Sequence, residues 1–176
     1  MAQVERVRYE RSKAEPYVKR LLELGAADAV AIDPRDVVTG EWVRWKCRYG
    51  CGGYGRRLTC PPHSPTPGET RALLDGYRLG VLAHWTGELR PSASMVAVER
   101  EAFLDGWHQA LALGEGPCRL CEACNLERCA HPQEARPSME ACGIDVFATA
   151  RAQGLPIHPL RERNEPHNLY GLLLLG

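Results

Sequence analysis

The sequence predicts one α/β domain spanning residues 1–176, with helices around one mixed sheet, or an α+β version of it, and two cysteine-rich loops. Three observations carry this. Segments of helical apolar period alternate with short apolar runs of strand type. The 176 residues, 44% hydrophobic and 25% charged, suffice for one core without disulfides. No linker or internal repeat divides the chain.

In chain order, Ser12-Lys-Ala-Glu15 reads as a capping box opening a sheet-packed helix, with Tyr17, Val18, Leu21 and Leu22 at helical spacing and Gly25 as its stop. Ala29 to Ile32 fits a buried strand, and Trp42 to Lys46 alternates like a half-exposed one. Residues 47–68 contain Gly50, Gly52, Gly53, Gly55, Pro61, Pro62, Pro65 and Pro67, so a shaped loop is expected there rather than a helix or strand. Thr66-Pro-Gly-Glu69 is a second capping box, with proline at the first helical position and a helix through Leu73, Leu74 and Tyr77. Leu79 to Trp85 is the next expected strand. A long helix is expected from Ser94 to Leu113, with Phe103, Gly106, Trp107, Ala110 and Leu111 on one face and Gly114 as its stop. A cysteine-rich loop over 116–137 follows, then short helices at Ser138 to Cys142 and Asp145 to Gly154, and a last buried strand from Leu169 to Leu175.

Lys+Arg 22 balance Asp+Glu 22, so no global basic field argues for nucleic acid or an anionic membrane as partner. The longest apolar run, Leu172 to Leu175, is too short to span a bilayer, and Met1 to Glu15 lacks the apolar core of a signal peptide. These features predict a cytoplasmic protein. Thiols stay reduced in that compartment, so eight cysteines point to metal or cluster ligation rather than disulfides.

Cys118-x2-Cys121-x2-Cys124-x4-Cys129 is the strongest signal. Three thiolates at successive three-residue steps on a non-helical loop can wrap three corners of a [4Fe–4S] cubane. A structural zinc site usually takes two short cysteine knuckles a dozen or more residues apart, so the spacing favours iron–sulfur, with zinc as the alternative. Cys47-x3-Cys51-x8-Cys60 forms a second group that is one ligand short of closure. Cys142, His63 or an exogenous molecule could supply the fourth. In two-cluster ferredoxins the fourth cysteine of a run serves the other cluster, so either Cys129 or Cys142 could cross over. Cys142, on a separate element, is the favoured partner of Cys47, Cys51 and Cys60, and an ordinary buried thiol is the competing reading of it.

Arg44, Lys46, Arg48, Arg56 and Arg57 surround the first group in sequence. Arg48, Arg56 and Arg57 are candidates to contact the cofactor or an anion arriving there, against the plainer reading of a solvated basic face. Gly50 to Gly55 formally satisfies G-x-G-x-x-G but opens no helix, so its glycines are expected to turn the backbone and aim amides at sulfurs. No phosphate loop, G-x-S-x-G elbow or H-E-x-x-H occurs. His84, His108, His158 and His167 read as structural, and His131 as a donor near the second cysteine group.

Trp42 to Pro67, WVRWKCRYGCGGYGRRLTCPPHSPTP, and Glu99 to Gly154, which holds GPCRLCEACNLERC, closely resemble the DUF2284 family of predicted metal-binding proteins. The resemblance covers most of the chain and both cysteine loops, over 47–63 and 116–142. It implies a prokaryotic, often anaerobic, cytoplasmic protein that binds metal through these cysteines, and it implies no reaction. The chemistry of the residues therefore sets the expectation: two [4Fe–4S] clusters passing single electrons to or from a redox partner protein. The rivals are an enzyme with an open iron acting as Lewis acid on a small anionic or sulfur-containing substrate, and a protein stapled by zinc.

Overall fold

The structure, a computed structural model, describes residues 11–87, 91–162 and 164–176. It is of the α/β class, with a four-stranded sheet in the order β1-β2-β4-β3. β2 (Leu79–Thr86) and β4 (Asn168–Leu175) form its centre, paired from Leu79 opposite Leu175 to Thr86 opposite Asn168. β1 (Asp28–Ile32) flanks β2, and β3 (Leu111–Leu113) flanks β4. All three pairings are antiparallel, which corrects the expectation of a mixed sheet. Apolar runs identify strands but carry no information on their direction.

Both faces of the sheet are covered, as the unbroken apolar runs of β2 and β4 require. Val81, Ala83, Trp85, Leu173 and Leu175 pack against α1 (Glu15–Glu23) and α4 (Pro91–Leu104) through Leu21, Met95, Val98 and Ala102. Their neighbours in the strands, Leu82, Leu172 and Leu174, face Leu74 of α3 (Pro67–Asp75), Met139, Ile144 and Ala150 of α5 (Val146–Ala152). His84 sits within β2, its ring nitrogens 2.9 Å from Asp28 Oδ2 and 2.9 Å from Asn168 Oδ1, stacked on Tyr170. That is a structural role.

Three elements differ from expectation. The first helix starts at Glu15 with Ala14 as its N-cap and no side-chain cap, so the predicted Ser12 box does not open it. Trp42 to Lys46 belong to a helix, α2 (Glu41–Gly50), not a strand, and the helix runs on through Cys47 to Gly50, so the loop expected from residue 47 begins only at Cys51. Five alternating residues cannot separate the two periods, whereas Trp42, Trp45 and Tyr49 continue at i, i+3 and i+7. α4 ends at Leu104 rather than Leu113, because Gly106 adopts φ 101° and Trp107 N–H closes onto Ala102 O at 3.0 Å, a Schellman stop that frees 111–113 to become β3. The box at Thr66 forms as expected: Glu69 N–H donates to Thr66 Oγ1 at 3.2 Å, and Thr66 N–H to Glu69 Oε2 at 2.7 Å.

Candidate metal centre

Residues 116–137 contain no helix or strand, and the chain is clamped where this loop ends. Arg136 donates to Glu99 of α4, with Nε 2.8 Å from Oε2, and Gly114 N–H donates to Pro137 O at 2.9 Å. Within the loop, Cys118, Cys121, Cys124 and Cys129 all line one small cavity of about 20 Å³, together with Arg57, Thr59 and His131. All four thiols are half-exposed. The four cysteines singled out by spacing therefore share one wall.

The first group is built differently. Cys47 lies in the last turn of α2, Cys51 is its C-cap, and Cys60 precedes Pro61 deeper in the loop, 7% exposed. Gly53 N–H donates to Cys51 Sγ at 3.4 Å, the kind of amide expected of these glycines. A Cβ at Gly53 would lie 3.6 Å from Cys51 Sγ, 3.8 Å from Cys60 Sγ and 3.9 Å from Pro117 Cβ. Only a glycine keeps that cradle clear. Burial pushes the thiols of Cys47 and Cys60 up, and the neighbouring Cys51 adds to both. Arg44 opposes this at Cys47; Thr59 and Arg57 oppose it at Cys60. A soft cation bound to these sulfurs would reverse the balance outright.

The two groups adjoin. Pro117, beside Cys118, borders the space between Cys51 and Cys60, and Cys118 is near enough to act electrostatically on Cys60. Arg57 joins them, donating to Cys121 O at 3.4 Å while its charge acts on Cys60. It thus sits on the wall of the second group's cavity as well as near the first. Arg48 and Arg56 are exposed, and Arg48 rests over the Tyr49 ring.

Cys142 lines neither cysteine cavity. It is 2% exposed in the core among Leu74, Met139 and Ile144, where burial pushes its thiol up to about 12. His63 is exposed and lies on a neighbouring shallow pocket with Cys129.

Two features escaped the sequence. Arg44 turns inward, its Nη1 donating to Ser64 Oγ at 2.9 Å, Pro65 O at 3.1 Å and Ala141 O at 3.1 Å, and so pins the first loop to the 3-10 turn Glu140–Cys142. Its only sequence signal was its place among the cations. A groove of about 420 Å³ also opens beside Cys47 and Cys51, walled by Trp42, Val43, Ile144, Phe147 and Ile157. His158 and His167, expected to be structural, lie on its rim. Residues 155–167 follow no period that would have announced it.

Among the described residues no three His, Cys, Asp or Glu side chains close on a point as the ligands of one ion do, and no helix is long and apolar enough to cross a membrane. What the fold brings together is two adjoining sets of soft thiol donors on an α/β scaffold, the donor chemistry of a metal-binding protein. The chain belongs to the DUF2284 family, described as predicted metal-binding protein, which matches residues 30–175. That stretch contains all eight cysteines and leaves out α1. Nothing matches among curated proteins or among solved structures.

Proposed function

We propose that this is an iron–sulfur protein with one [4Fe–4S] cluster on Cys118, Cys121, Cys124 and Cys129 and a second on Cys47, Cys51, Cys60 and one further ligand. It passes single electrons to or from a partner protein. The observation that carries this is the adjacency of the two groups across Gly53 and Pro117, with Arg57 reaching both. Electron tunnelling falls steeply with distance, so neighbouring centres are what a relay needs. Thiolates at three-residue steps suit a cubane, and the guanidinium of Arg57 offsets its negative charge. A cubane is larger than the cavity the four thiols now enclose, so seating it moves the loop outward; residues 116–137 have no ladder or helix to resist that.

The groove beside Cys47 and Cys51, with Cys142 in the core, favours a second reading of the first group: three cysteines, and a fourth position reached by a small molecule from the groove. Anaerobic purification with iron, zinc and acid-labile sulfide measured together, followed by electron paramagnetic resonance of the reduced protein, tests both. Iron and sulfide in equal amounts with a reduced-state signal are expected. Zinc alone, in a colourless protein, would sink the proposal, and a non-protein ligand on the Cys47 centre would select the second reading.

A further inference from the structure

We infer that the exposed face of α2 is the docking surface for a small acidic one-electron carrier protein; this rests on the electron-transfer reading above. Trp42, Trp45 and Tyr49 share one side of the helix and are 48%, 64% and 70% exposed, while the helix buries only Val43. The rings of Trp45 and Tyr49 lie 5.6 Å apart. Clustered exposed aromatics rimmed by charge mark interaction surfaces, and Trp, Tyr and Arg are the side chains that dominate binding energy at interfaces.

The charge on this face chooses the partner. Lys46 Nζ lies 5.3 Å over Trp42, Arg48 lies 5.5 Å over Tyr49, and Arg56 is exposed on the loop that follows. Among the described residues none of these three cations has a carboxylate partner, and the one acid of α2, Glu41, is at its opposite end. An acidic protein surface complements such a face, whereas a second copy would set cation against cation. Position supplies the function: Cys47 is in the last turn of this helix and Cys51 caps it. Cys47 lies on the side of the helix away from Trp45 and Tyr49, so a carrier seated on the aromatics would be one helix diameter, ~10 Å, from it. Trp42 and Lys46 border the groove that Cys47 and Cys51 also line. A cluster held by these cysteines would take up the single electron that the reduced carrier gives up, with no bond or proton exchanged.

The test uses the full chain, purified anaerobically, and an acidic [2Fe–2S] ferredoxin as probe. Stopped-flow reduction by the reduced ferredoxin is expected to slow at least tenfold on raising salt from about 0.05 M to about 0.5 M, where charge attraction is screened. Trp45→Ala and Tyr49→Ala, both on the surface, should each slow it at least tenfold and leave reduction by dithionite unchanged. Wild-type rates in both variants, indifference to salt, or no binding of ferredoxin would overturn the docking surface. So would single-stranded oligonucleotide binding or dimerisation that depends on Trp45 in place of ferredoxin binding. A chain without iron would instead sink the electron-transfer reading; binding of oxidised ferredoxin to that chain, lost in Trp45→Ala, would leave the surface standing.

Discussion

Alanine at Gly53 should separate the fold from the metal centre. Gly53 lies outside the left-handed region, and the nearest atom to a Cβ built there is 3.6 Å away, so the metal-free chain accepts the methyl group without a clash. Removing glycine's freedom from the unfolded chain should then stabilise the metal-free protein by about 0.4–1 kcal/mol. The same methyl group stands 3.6 Å from Cys51 Sγ and 3.8 Å from Cys60 Sγ, in the cradle both sulfurs face. A metal bonded to both must come within about 2.3 Å of each sulfur, and a carbon in that space forces ligands or metal off their geometry. A tenfold weaker hold, about 1.4 kcal/mol, is the least expected effect. Thermal melts of the metal-free chain and competition with a chelator measure the two changes, whose signs are opposite. Equal metal retention in Gly53→Ala and the wild type would show that Cys51 and Cys60 do not share a centre.

Alanine at Cys121 or Cys124 should remove one cluster's iron and sulfide and leave the 116–137 loop open to proteases, since few large apolar residues order it; full iron and sulfide content in either variant would refute the assignment. Cys142→Ala should cost about 1 kcal/mol in a denaturant melt through lost core packing and leave the spectrum as it was, whereas loss of the component that Cys51→Ala also removes would make Cys142 a ligand. Arg136→Met should cost about 3 kcal/mol, because Glu99, 13% exposed, keeps only the Ala112 N–H as partner; an unchanged melting point would refute that account.

Sequence made the cysteine run, the Thr66 cap and the two central strands legible, because each depends on neighbours within a few residues. Thr66 and Glu69 are three apart, and β2 and β4 are apolar throughout. The errors fell where a local pattern admitted two readings. Trp42 to Lys46 suits either period, and a glycine within an apolar stretch does not say that its φ will be positive, as it is at Gly106. What was illegible depends on the tertiary fold: the turn of Arg44 onto Ala141 O and the meeting of Gly53 with Pro117, while for Cys142 the sequence offered both a ligand and the buried thiol without deciding between them. No spacing encodes a contact between residues so far apart in the chain.

That meeting has an energetic consequence. Each cysteine loop supplies part of the other's wall: Arg57 and Thr59 from the first line the cavity of Cys118 to Cys129, and Pro117 from the second borders the space between Cys51 and Cys60. Apart from the last turn of α2 at Cys47 to Gly50, neither loop has a helix or strand between its cysteines, so metal bound at one group would fix the backbone that borders the other. Binding that orders a shared wall spares the next ligand that cost, which makes loading cooperative without any contact between the two metals. Cys51→Ala should therefore not merely empty its own site; it should speed the chelator-driven loss of iron from Cys118, Cys121, Cys124 and Cys129. Arg57→Ala, which removes a side chain that reaches both groups, should weaken that dependence. Release of the remaining iron at the wild-type rate in Cys51→Ala would show that the two loops adjoin without supporting one another.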